Sequence, residues 1–186
     1  MTGPAAKTPG DIWVFAYGSL MWRPNFPYLD RQPALLYGYH RALCIHSTQY
    51  RGTPDCTGLV VGLDHGGSCR GLAYKIDPAH AEATLDYLWK RELDTDSYVA
   101  RRLALSLPKG RVTAWAFVAN HANPAQYAGK LAPDEAAMRV ARGHGKEGSA
   151  VEYLANTLEH LDEMGIKEGP LHEILEMARE KAGRKG

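Results

Sequence analysis

Hydrophobic and polar positions change period along the chain, and the change divides it. Ile12-Trp13-Val14-Phe15-Ala16 is a continuous apolar run closed by Gly18, which predicts a buried strand entering a tight loop. A Pro/Tyr/Asp stretch to Gln32 reads as an irregular connection. Leu35 to Ser47 reads as a strand bent at Gly38, and Arg51-Gly52-Thr53-Pro54 as a turn. Thr57 to Asp64 and Cys69 to Ile76 are strand-like runs around His65-Gly66-Gly67-Ser68, a predicted hairpin. Asp77-Pro78 then opens a helix, with Asp as N-cap and Pro as first helical residue. Strand character resumes over Tyr98 to Leu107 and Val112 to Ala119, with Pro108-Lys109-Gly110 as the turn between them. From Pro133 the period is helical: Pro133 to Arg142, Ser149 to Leu161 and Leu171 to Ala182. Strands first, helices last and one helix among the strands predict an α+β fold. Its sheet is expected to be mixed and mostly antiparallel, closing into a small β-barrel with flanking helices.

Composition narrows the class. The 186 residues are 45% hydrophobic and 23% charged, ordinary for a globular chain. Residues 1–10 read as a flexible polar lead-in without a secretory signal, and 11–186 as one domain. With 22 basic and 21 acidic residues the formal charge is +1, which leaves no footprint for nucleic acid or an anionic membrane. Nothing approaches ~20 consecutive apolar residues, so no spanning helix is expected and the cytoplasm is the simplest compartment. Cys44, Cys56 and Cys69 have no C-x-x-C spacing, and no H-E-x-x-H pair occurs, so neither a metal site nor a cofactor is expected.

Gly143-His144-Gly145-Lys146-Glu147-Gly148 matches G-x-G-x-x-G as written, but it follows a helix, whereas a dinucleotide fingerprint must follow a strand. The better reading has Gly143 stopping one helix and Ser149 with Glu152 forming a capping box for the next. The loop remains a candidate wall of a site, since a helix N-terminus can hold an anion.

Two features carry chemistry. In Tyr17-Gly18-Ser19-Leu20, Gly18 admits a close backbone approach, and successive N–H groups after a strand end can form an anion-binding nest. An ordinary turn with a buried Tyr explains the pattern equally well. On the helix from Pro78, Ala81, Leu85 and Leu88 make an apolar stripe that Glu92 extends. A carboxylate there is desolvated and sits at the negative end of the helix dipole, and both raise its pKa into proton-transfer range. A structural ion pair with Arg91, Arg101 or Arg102 is the alternative.

In order along the chain, Trp13 to Trp22 (WVFAYGSLMW), Ser47 to Pro54, Gly71-Leu72-Ala73-Tyr74, Tyr87 to Glu92, Asn123-Pro124 with Tyr127, Gly143 to Gly148, and Glu152-Tyr153-Leu154 resemble the ChaC family of γ-glutamyl cyclotransferases. The resemblance runs from about Ile12 to Leu161. It implies a metal-independent, lyase-type enzyme acting on glutathione, whose own α-amine attacks the γ-carbonyl to give pyroglutamate and Cys-Gly. It further implies Glu92 as general acid/base, with Tyr17, Gly18, Ser19, Leu20, Arg51 and Tyr127 binding substrate. No cofactor, nucleic-acid partner or membrane is implied. Leu93-Asp94-Thr95-Asp96-Ser97-Tyr98 stands where many relatives carry Gly-Gly-Tyr, and Tyr50-Arg51 replaces a usual His-Arg. Another γ-glutamyl amine as substrate, or a non-catalytic γ-glutamyl-binding regulator, therefore stays open, as do the roles of Tyr98, Arg51 and the glycine loop.

Overall fold

The computed structural model describes residues 11–183; the lead-in expected over residues 1–10 lies outside them. Five strands form a closed barrel in the order β1-β3-β2-β4-β5. They are β1 (Trp13–Ala16), β2 (Tyr28–Ser47), β3 (Gly58–Ile76), β4 (Tyr98–Leu107) and β5 (Gly110–Ala119). Pairing is antiparallel throughout except where β1 closes the barrel on β5, Trp13 opposite Ala114 and Val14 opposite Trp115. The mixed, mostly antiparallel barrel expected from the chain's periodicity is therefore present.

The sequence reading errs on the second and third strands. Tyr28 to Gln32, expected to be irregular, is already strand, and His65 to Ser68 is not a hairpin turn. β2 and β3 instead run side by side from Tyr28–Ile76 to Ser47–Gly58, and the true turn is 48–57. At its centre the register slips between Tyr37–Ser68 and Tyr39–His65. Gly38 (φ 84°), Gly66 (97°) and Gly67 (67°) face each other there in conformations that a side chain disfavours. Strands of 20 and 19 residues are far longer than usual, and this bulge bends them so that they wrap around a barrel.

Asp77 caps a short 3₁₀ turn by accepting from the Ala79 amide, and α1 (Ala81–Leu93) follows. α1 rests on the barrel through Thr84 and Leu88, both buried; Leu85, expected in the stripe, is only half-buried. Glu92 lies one turn beyond Leu88 on that face, so the conclusion survives a corrected stripe. The remaining helices are α2 (Pro133–Arg142), α3 (Ala150–Glu163) and α4 (Gly169–Gly183). They bury Ala136, Ala137, Val140, Leu154, Leu158, Leu171 and Leu175 in the same core as the strands. The predicted capping box is formed, Ser149 accepting from the Glu152 amide and Glu152 from the Ser149 amide. No described helix is long and apolar enough to cross a membrane.

Candidate active site

β1 ends at Ala16, and the chain folds at once into a 3₁₀ turn, Ser19–Met21, closed by the Met21 amide donating to the Gly18 carbonyl at 2.8 Å. The first amides of a helical turn have no partner within it, and those of Ser19 and Leu20 donate to no protein acceptor among the described residues. They border a small cavity, open to solvent, that is lined by Tyr17, Gly18, Ser19, Leu20, Val61, Glu92, Tyr98, Phe117 and Tyr153.

Glu92 is the charged member of that lining. Its side chain is only 17% exposed, and burial pushes its pKa above the ordinary 4.5, with the neighbouring Arg91 guanidinium pulling the other way. Arg91 joins the two halves of the site. Its Nε lies 3.2 Å from the Glu92 carboxylate, and Nη2 donates to Ser19 Oγ at 2.9 Å. Nη1 donates to the Arg23 carbonyl at 2.9 Å and to the Tyr87 hydroxyl at 2.8 Å. Of the ion-pair partners considered from sequence, Arg91 is the one present; Arg101 and Arg102 are exposed on β4.

Three tyrosines complete the walls. β1 pairs with β3 only at residues 72–75, so the edge of β3 near Val61 has no strand beside it. The Tyr98 hydroxyl donates to the Val61 carbonyl at 2.9 Å, and the Tyr153 hydroxyl accepts from the Val61 amide at 3.2 Å. The Tyr17 hydroxyl donates to the Phe117 carbonyl at 2.8 Å. Burial raises the pKa of all three phenols, that of Tyr153 to about 12, so each stays neutral and Glu92 is left as the group that titrates.

The structure thus brings Tyr17, Gly18, Ser19, Leu20 and Glu92 together, and it places Arg51 and Tyr127 elsewhere. The Arg51 guanidinium stacks behind the cavity on the Tyr153 ring, 5.5 Å from its centroid, and donates to the Glu147 carbonyl. Tyr127 lies off the lining, its hydroxyl donating to the Asp64 carboxylate at 3.0 Å and its ring stacked on His121. The glycine loop is not a wall either. Lys146 and Glu147 amides donate to the Gln49 and Tyr50 carbonyls, so the loop braces the 48–57 turn. Val61 and Phe117 were missed from sequence because an apolar residue in a strand reads as ordinary core, and their backbone groups anchor the tyrosine hydroxyls, which leaves no side-chain signal. Tyr153 stood within a matched segment and Tyr98 at the end of the departing one, both without a role. Among the described residues, no group of three or more His, Cys, Asp or Glu side chains gathers as metal ligands.

Residues 12–181 match the family model described as ChaC-like protein. The chain belongs to this family. It is 33% identical over 167 residues to the glutathione-specific γ-glutamylcyclotransferase of Escherichia coli, covering 89% of this ChaC-like chain and 72% of the relative. It is 36% identical over 163 residues to glutathione-specific γ-glutamylcyclotransferase 1 of Homo sapiens, covering 81% and 72%. The crystal structure of the yeast γ-glutamyl cyclotransferase specific to glutathione superposes with a TM-score of 0.81 at 26% identity, covering 93% of this chain and all of that one. The ChaC-like barrel and its helices are thus shared with an enzyme of the same class.

Proposed function

We propose that the protein is a γ-glutamyl cyclotransferase that cleaves glutathione to pyroglutamate and Cys-Gly, with Glu92 as the proton carrier. The observation that carries this reading is a largely buried carboxylate and unpartnered amides bordering one small cavity. The names borne by the bacterial and human relatives support glutathione as the substrate. The departures from the family pattern beside Glu92 stay out of the cavity: the Asp96 carboxylate turns away to accept from Asn120 and Asn123 at 3.0 Å each, and no residue from Leu93 to Ser97 joins the lining.

The γ-glutamyl group enters with its α-ammonium toward Glu92 and its γ-carbonyl toward the loop. The Glu92 carboxylate takes a proton from the ammonium, and the freed amine attacks the γ-carbon in the same molecule. A C–N bond forms, closing the lactam ring, while loop N–H groups stabilise the oxyanion. The bond to the cysteinyl nitrogen then breaks as Glu92 returns the proton to it. The second proton, shed by the attacking nitrogen as it becomes the lactam N–H, passes through Glu92 to the departing amine, which leaves as an ammonium. Protons lost by the attacking nitrogen equal those gained by the leaving one, so no outside reactant is consumed. Holding nucleophile and carbonyl in attack geometry is worth up to ~7–11 kcal/mol in well-oriented systems. The reaction belongs in the cytoplasm, a reducing compartment that suits the free Cys44, Cys56 and Cys69.

Incubation of the purified protein with glutathione is expected to release pyroglutamate and Cys-Gly in equal amounts. Silence with glutathione but release of pyroglutamate from other γ-glutamyl amines would overturn the substrate assignment and keep the reaction. Silence with all of them would leave a binding module.

A further inference from the structure

Arg41 lies on β2 outside the cavity lining, yet it grips the loop from behind. Its side chain is 0% exposed. Nε donates to the Tyr17 carbonyl at 2.6 Å, Nη2 to the Arg70 carbonyl at 2.8 Å, and Nη1 to the Glu168 carboxylate at the foot of α4. A buried ion pair is a poor device for stability, because apolar residues of similar volume often replace one at no loss. The position of the Tyr17 carbonyl offers a better reason for it.

No described peptide is cis, so the Tyr17 carbonyl and the Gly18 N–H belong to one planar unit and point in opposite directions. With the carbonyl drawn onto Arg41, the Gly18 N–H is aimed away from it. Gly18 borders the cavity and faces Val61, whose Cγ2 would lie 3.4 Å from a Cβ built at position 18. The Gly18 amide donates to no protein acceptor among the described residues. A cation on the carbonyl also draws electron density through the amide, which strengthens the N–H as a donor.

We propose that Arg41, clasped by Glu168, is a positioning residue that aims and polarises the Gly18 N–H toward the oxygen on which negative charge builds during lactam formation. The proposal rests on the cyclotransferase reading. Negative charge grows in the transition state, so the effect falls on kcat rather than KM.

The test uses Arg41→Lys and the double variant Arg41→Met/Glu168→Met, which removes both charges and so leaves none buried alone. With both folded by circular dichroism and thermal melting, kcat on glutathione is expected to fall about tenfold in the lysine variant. The double variant is expected to lose about a hundredfold, the scale of one oxyanion donor. KM should stay within about twofold and the acid limb of the pH profile unmoved, because uniform binding and Glu92 are untouched. In the protein without substrate, the Gly18 amide proton should move upfield in both variants as its donor strength falls. Wild-type kcat in the folded double variant, a loss confined to KM, or an unmoved Gly18 resonance overturns the proposal. A wild-type protein inert toward glutathione would instead sink the cyclotransferase reading, and the Gly18 resonance would still decide whether Arg41 polarises that peptide.

Discussion

At the scale of a residue, Glu92 is held in a conflict between solvation and use. Burial raises its pKa, and Arg91 offsets part of that rise. The carboxylate must be free of its proton to start the reaction, so the acid limb of kcat/KM should lie above the ordinary carboxylate value of 4.5 and disappear in Glu92→Gln. That variant should retain at most about a hundredth of wild-type turnover, within the usual range for a general acid/base. Stability moves the other way. A raised folded pKa means that the folded protein holds the proton more tightly than the unfolded chain does. This contribution is complete below 4.5 and is lost as pH rises through the raised value. Glutamine loses nothing over that window, so thermal melting should show the variant gaining on wild type as pH climbs through it. Wild type gaining on the variant over that window would contradict the assigned shift. Glu92 was legible in sequence because an acidic residue on an apolar stripe breaks a pattern. Arg41 was not, since an arginine in a half-polar strand reads as a solvated one.

At the scale of elements, local signals located most boundaries, and long-range pairing decided the rest. Pro133 opens α2, and Gly143 follows its last residue, as the sequence implies. Gly143 is extended rather than left-handed, however, so its glycine is not explained by the cap conformation. Space explains it: a Cβ would lie 2.6 Å from both the Arg51 carbonyl oxygen and the Gly58 Cα. Gly143→Ala must move backbone and should cost about 1–3 kcal/mol in urea denaturation, the usual range for overpacking. A variant as stable as wild type would show that the glycine loop braces nothing. The glycines of 65–68 misled for a related reason. A hairpin turn and a bulge both call for positive φ, and only Gly38 on the opposite strand tells them apart.

At the scale of the whole molecule, barrel and terminal helices were readable from periodicity, whereas the cavity walls were not. Val61, Phe117 and the three tyrosines come from the loop after β1 and from β3, β4, β5 and α3, and no local pattern links such distant segments. The closure of the barrel has a consequence in time. β1 joins β5 through Trp13 and Val14, and the Tyr17 hydroxyl meets the Phe117 carbonyl 100 residues along the chain. Loop-closure entropy delays such contacts relative to the continuous β2–β3 hairpin. The chain can therefore build the β2–β3 hairpin, on which β1 pairs, before β5 arrives to close the barrel. During refolding from urea, catalytic activity should return with the slowest tryptophan fluorescence phase and lag behind the recovery of β-sheet circular dichroism. Activity that returned together with the first sheet signal would mean that closure comes early.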